Sequence, residues 1–87
     1  MKIAVWDTYV QRNDGIIAHF DILVPHFVED SNVVFRYGDH YLKSKAFSTK
    51  SISTNECKLC HIESATEDMI RDIKSKGYSI IEMENCN

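Results

Sequence analysis

The chain has 87 residues, 44% of them hydrophobic, with three Gly, one Pro and a formal charge of −3 at pH 7. That length holds one domain around a single core, and one Trp with four Tyr and four Phe excludes a disordered segment. An acidic balance without a clustered excess of Lys and Arg gives a phosphate backbone nothing to hold, so nucleic acid is not an expected partner.

At the start of the chain Asp7 interrupts the apolar run early, so no secretory signal is expected there. No eighteen-residue apolar stretch follows, so no membrane span is expected either. A cytoplasmic location is the expectation, with the thiols reduced or metal-bound and an odd cysteine count in keeping with that.

Residues 2–10 and 16–24 are rich in β-branched and aromatic side chains and flank Arg12-Asn13-Asp14-Gly15, a strong hairpin signal because Gly accepts the positive φ of such turns. An even loop would set Ile3, Val5, Asp7 and Tyr9 on one face with Ala18, Phe20, Ile22 and Val24. Trp6 and Thr8 would then share the other face with His19 and Asp21, whereas an odd loop exchanges these partners. Pro25 closes the second strand. Asp30 or Ser31 then caps a helix carrying Val34, Tyr37, Tyr41 and Leu42 at helical spacing. Gly38 inside it costs about 1 kcal/mol relative to Ala, so this helix must lean on tertiary packing.

Ser, Thr, Lys and Asn dominate residues 44–55, which read as an exposed loop, and a short strand follows over 56–63. Ser64 with Glu67 forms the pattern of a capping box for a second helix, with Met69, Ile70 and Ile73 as its apolar stripe and Gly77 as its left-handed stop. Glu67 with Arg71 and Asp72 with Lys76 stand in i,i+4 register and read as a solvated face. Residues 78–84 form a last strand, with Tyr78 and Ile80 pointing one way and Ile81 and Met83 the other. The order β-β-α-β-α-β over residues 1–87 predicts one α+β domain. Its N-terminal hairpin sits in a mixed sheet against two helices, with a right-handed crossover through the second helix.

The densest chemistry is Cys57-Lys58-Leu59-Cys60-His61, with Cys86 as the third thiol. A C-x-x-C turn supplies two thiolates to one zinc ion; Cys86 would be the third ligand and His61 or His19 the fourth. A dithiol redox site at Cys57 and Cys60 is the alternative, although the strong helix begins too late to lower a thiol pKa. C-x-x-C-H also matches haem attachment literally, but that chemistry needs export. Against all three stands the reading of cysteine as a small packed hydrophobe.

His19 and Asp21 could orient an imidazole beside a carboxylate, although polar residues alternate on any solvated sheet face. Asp7, between Trp6 and Thr8, must find donors if it is buried, and Thr8 is one of them. Lys43, Lys45, Lys50 and Lys58 read as solvating charges. With Gly only at 15, 38 and 77 there is no phosphate-cradling loop, dinucleotide fingerprint or nucleophile elbow.

Val5-Trp6-Asp7-Thr8-Tyr9-Val10, His19-Phe20-Asp21, Glu56 through His61, and Gly77-Tyr78 through Met83-Glu84-Asn85-Cys86-Asn87 together make the chain resemble, nearly end to end, a family of small bacterial proteins known as domain of unknown function 2024. The resemblance implies an α+β domain of this length in a bacterial cytosol, without an established activity, substrate or cofactor. It also implies that His19, Cys57, Cys60, His61 and Cys86 belong to the family pattern. This chain departs from that pattern in having Asn85 where Gly is usual and Gly38 where Ala is usual; Asn is the next best residue for a left-handed turn. The expectation is a small binding or regulatory module without catalysis whose Cys/His face holds zinc. The alternatives are a thiol-dependent redox protein and a plain folded domain. Exposed aromatics such as Trp6 or Tyr41 would serve a protein partner or a second copy.

Overall fold

The branched and aromatic N-terminal segments pair as β1 (Lys2–Gln11) and β2 (Ile17–Pro25) in a computed structural model of the protein, which describes residues 1–87. Their connection is odd, because Gln11 pairs with Ile17 and five residues lie between them. Within it Arg12 N donates to Ile16 O (2.8 Å), Gly15 N donates to Arg12 O (3.0 Å), and Gly15 takes φ 87°. The odd count exchanges the face partners expected of an even loop. Asp7 lies opposite Asp21 and Tyr9 opposite His19, while Trp6 and Thr8 lie opposite Ile22 and Phe20.

The chain continues through α1 (Ser31–Leu42), β3 (Cys57–Ser64), α2 (Glu67–Lys76) and β4 (Ser79–Glu84), so the α+β class and the element order are as expected. The sheet order is β3-β1-β2-β4 and every neighbouring pair is antiparallel, which corrects the expectation of a mixed sheet. The crossover expected through α2 is also corrected. β3 and β4 run in opposite directions at opposite edges, and α2 carries the chain across the sheet between them. The strands of like sense joined by a helix are β2 and β3, linked through α1 and separated by β1. No helix is long and apolar enough to cross a membrane.

Each face of the sheet has its own cover. Ala4, Trp6, Val10, Ala18, Phe20, Ile22 and Val24 pack with Val34, Phe35 and Leu42 of α1. Asp30 caps that helix, its carboxylate accepting from Asn32 N at 3.0 Å. Phe47 and Ile52 join the same core, so the segment expected to be an exposed loop contributes two buried anchors. Arg12 pairs with Thr49, Asn13 N donates to Ser48 O (2.8 Å), and the Arg12 guanidinium lies 4.2 Å from the centre of the Phe47 ring. Isolated apolar residues in a polar run carry no periodic signal.

On the opposite face Ile3, Val5 and Leu23 pack against Ile73 of α2, with Met69 and Ile81 alongside. The cap of α2 is Thr66, not Ser64, because β3 holds Ser64 in register with Lys2. Thr66 Oγ1 accepts from Met69 N (3.3 Å) and Met69 Sδ accepts from Thr66 N (3.4 Å). Gly77 ends the helix at φ 93° with its N–H on Ile73 O (2.8 Å), as expected. The i,i+4 ion pairs do not form: Arg71 pairs with Asp68 at 2.9 Å, and Asp72 accepts from Ser79 Oγ at 2.8 Å. Thr66→Ala is expected to destabilise the fold by about 1 kcal/mol, lowering the melting midpoint by about 4–8 °C, with Ser64→Ala near neutral. Circular dichroism melts check this, and equal losses in the two variants would contradict the cap.

Because the apolar stripe of α2 is short, it covers only the Ile3, Val5 and Leu23 end of its face. Asp7, Tyr9, Ile17, His19 and Asp21 occupy the other end of that face, between half-buried and exposed.

Candidate metal centre

The site is a product of register. Asp7 and Asp21 are direct cross-strand partners on the two central strands, an arrangement that is destabilising for like charges. His19, diagonal to Asp7, offsets part of that: its Nε2 lies 2.6 Å from Asp7 Oδ1 and 4.0 Å from Asp21 Oδ1. One donor atom from each of the three residues lies within 4.8 Å of the others. Tyr9, the partner of His19, stacks on the imidazole with ring centres 4.0 Å apart and planes 12° apart, which fixes the ring's orientation.

Burial pushes the Asp21 carboxyl above its ordinary range, the hydrogen bond and charge of Asp7 push it further, and His19 and His61 pull the other way. Desolvation, then the charges of Asp7, Asp21 and Glu84, push the Tyr9 phenol up as well. The uncovered end of the face is therefore a place where negative charge is concentrated on rigid strands and a cation or proton is favoured.

The structure distributes the other sequence-predicted residues differently. Trp6 and Thr8 are buried on the α1 face, away from the cluster; Thr8 Oγ1 lies 3.2 Å from Trp6 O and 3.3 Å from Cys57 Sγ. Cys57 is buried beside Thr8, and its burial pushes the thiol pKa up, away from the thiolate that redox chemistry needs. Cys60 is exposed at the irregularity where β3 slips against β1. Cys86 is buried, with Sγ 3.3 Å from both His19 O and Glu84 O. His61 is exposed and pairs with Glu63 at 3.2 Å.

All three thiols are free, and none belongs to a group of three or more donor atoms within 4.8 Å of one another. The reason is local structure. Cys57 and Cys60 lie on an extended strand, which spreads residues three apart over about 10 Å instead of curling them around one ion. Of the expected Cys/His ligand set only His19 enters the cluster, joined by Asp7 and Asp21. The signal for that grouping was the odd hairpin loop, which fixes Asp7 against Asp21 once five residues are assigned to the turn.

Asn85 takes φ 56°, the left-handed conformation expected of it in place of Gly. Its Nδ2 donates to Ile17 O (2.9 Å), and Arg12 Nη1 donates to Asn85 O (3.1 Å) and Asn87 O (2.9 Å), which holds Cys86 in the core.

Fold and site together define a small α+β domain whose antiparallel sheet carries a carboxylate–imidazole cluster on an uncovered half-face. The chain belongs to the family described as "Domain of unknown function (DUF2024)", whose model matches residues 1–83. It is similar to protein NE1680 from Nitrosomonas europaea, a structural-genomics target solved by NMR, at 36% identity over 100% of both chains and a TM-score of 0.79. No curated protein matches the chain.

Proposed function

We propose that this domain is a non-catalytic binding or regulatory module of the cytosol whose ligand is a divalent transition-metal ion held by Asp7, His19 and Asp21. The observation that carries the reading is the convergence of three donor atoms within 4.8 Å on the two central strands. Two carboxylates and a neutral imidazole bring two negative charges to a dication, and a nitrogen–oxygen donor set suits zinc or manganese.

Metal–ligand distances of about 2.0–2.2 Å place neighbouring donors about 3.3 Å apart. The His19–Asp7 hydrogen bond would open by under an ångström, and the imidazole would give up any proton on Nε2. A cation between the carboxylates would also relieve their repulsion, so binding and stability are coupled. The thiols, expected earlier as ligands, stay outside this site and remain reduced.

Titration calorimetry tests the proposal. Zn²⁺ or Mn²⁺ is expected to bind one ion per chain, with affinity falling at least about tenfold in His19→Gln, as loss of a metal ligand or its partner requires. Zinc should leave thiol reactivity unchanged: the exposed Cys60 should react freely and the buried Cys57 and Cys86 slowly, with or without the ion. Unchanged affinity in His19→Gln would refute the site, and masking of the thiols by zinc would move it to the cysteines.

A further inference from the structure

Beside the cluster, where β1 runs past the start of β3, lies a cleft of about 610 Å³ that shares Tyr9 as a wall. Its volume is that of small-molecule sites, which combine an apolar wall with a few placed polar groups. Tyr9 and Ile17, 49% and 46% exposed, form the apolar wall, and Ser48, Thr49 and Lys50 of the connection after α1 line the same cleft.

The charges in the lining decide what fits. Arg12 is committed, ion-paired with Asp14 at 2.9 Å and donating to Asn85 O and Asn87 O. Glu56 is held by Ser53 Oγ at 3.1 Å. Lys50 makes no ion pair or side-chain hydrogen bond, so the charged side chain of the cleft left without a partner is a cation, while Glu56, bonded to a neutral hydroxyl, keeps its negative charge.

We propose that this cleft binds a small planar carboxylate, its apolar body against Tyr9 and Ile17 and its anionic group on Lys50. The site does not depend on metal. A carboxylate gives the exposed Lys50 ammonium a charged partner that a neutral ligand does not. A fully polar anion would leave the two half-exposed apolar side chains in water. Because the Tyr9 ring also stacks on His19, an occupant of the cleft touches the ring that orients the imidazole.

The test uses the full chain in chelator, so its outcome is separable from that of the metal proposal. Naphthoate is titrated by two-dimensional amide NMR, with naphthamide as a neutral isostere of the same shape. Saturable shifts are expected at Tyr9, Gln11, Ile17 and Lys50, with naphthoate binding about fivefold tighter than naphthamide, the scale of one partly exposed charge-assisted contact. Lys50→Gln, an exposed substitution that leaves the core untouched, should remove that preference, and Tyr9→Leu should weaken both probes. Absence of shifts at millimolar naphthoate, equal binding of acid and amide, or an unchanged preference in Lys50→Gln would each overturn the assignment.

Discussion

At pH 7 without added metal, Asp21→Asn is expected to melt about 4–8 °C above the parent chain, a gain of about 1 kcal/mol at the upper end of cross-strand pair terms. Asp21 faces Asp7 directly, and its carboxyl is held above the ordinary range by burial first and by Asp7 second. A carboxyl whose pKa is raised on folding binds more protons folded than unfolded, so it lowers stability as pH rises through the folded-state value. Asn removes that loss while keeping size and shape. The advantage should therefore be full at neutral pH and fade as pH falls towards the ordinary aspartate value of about 3.9.

The same substitution should blunt the response to metal. An ion at a hundred times its dissociation constant stabilises the parent by about 2.7 kcal/mol, a shift above about 10 °C, and Asp21→Asn should show a much smaller one. Asp7→Asn is the informative comparison. It also relieves the repulsion but gives up the charge that His19 holds at 2.6 Å, so its gain should be smaller. A lower midpoint for Asp21→Asn would show the carboxylate pair to be a net stabiliser and would remove the reason for a cation between them.

The elements were legible wherever local chemistry dominates. The Asp-Gly hairpin, the Asp30 cap, the Gly77 stop and the left-handed Asn85 each rest on a backbone preference of one or two residues, and all four are in place. What the sequence did not show was non-local. The sense of β3 and β4 depends on which edge each strand reaches, and Phe47 and Ile52 become core only because a bridge at Arg12 and Thr49 draws their segment inward.

The candidate site divides the same way. Cys57 and Cys60 stand out by spacing, yet spacing gathers ligands only when the backbone turns, and here it is extended. Asp7, His19 and Asp21 were each visible as odd residues in a strand. Their convergence hung on the parity of one loop, which a single sequence leaves open.

Gly38→Leu is expected to destabilise the domain by about 2–3 kcal/mol even after the helix propensity it gains, because overpacking a filled core forces neighbours off their rotamers. Gly38 is buried in the middle of α1, and a Cβ there would crowd Ile52 Cδ1 and stand 2.8 Å from Ile22 Cδ1. The loss should lower the melting midpoint by about 10–20 °C. Gly38→Ala is a different case. It gains about 1 kcal/mol of helix propensity and needs only two methyl tips to move, so its net effect should lie within about 1 kcal/mol of zero.

Trimming the obstructing tip should separate the two terms. Ile52→Val should cost at least about 0.5 kcal/mol less in the Gly38→Ala background than in the parent, since it vacates the space the new methyl needs. Exact additivity would mean that Ile52 yields freely and that Gly38 is not there for close approach. Ile52 is also tied to α1 through its N–H on Asp39 Oδ1 at 3.1 Å, and it anchors the segment carrying Ser48 to Lys50. Gly38→Leu should therefore disturb the cleft beside Tyr9 along with the core, weakening naphthoate binding while leaving the Asp7–His19–Asp21 register, set on the hairpin alone, in place.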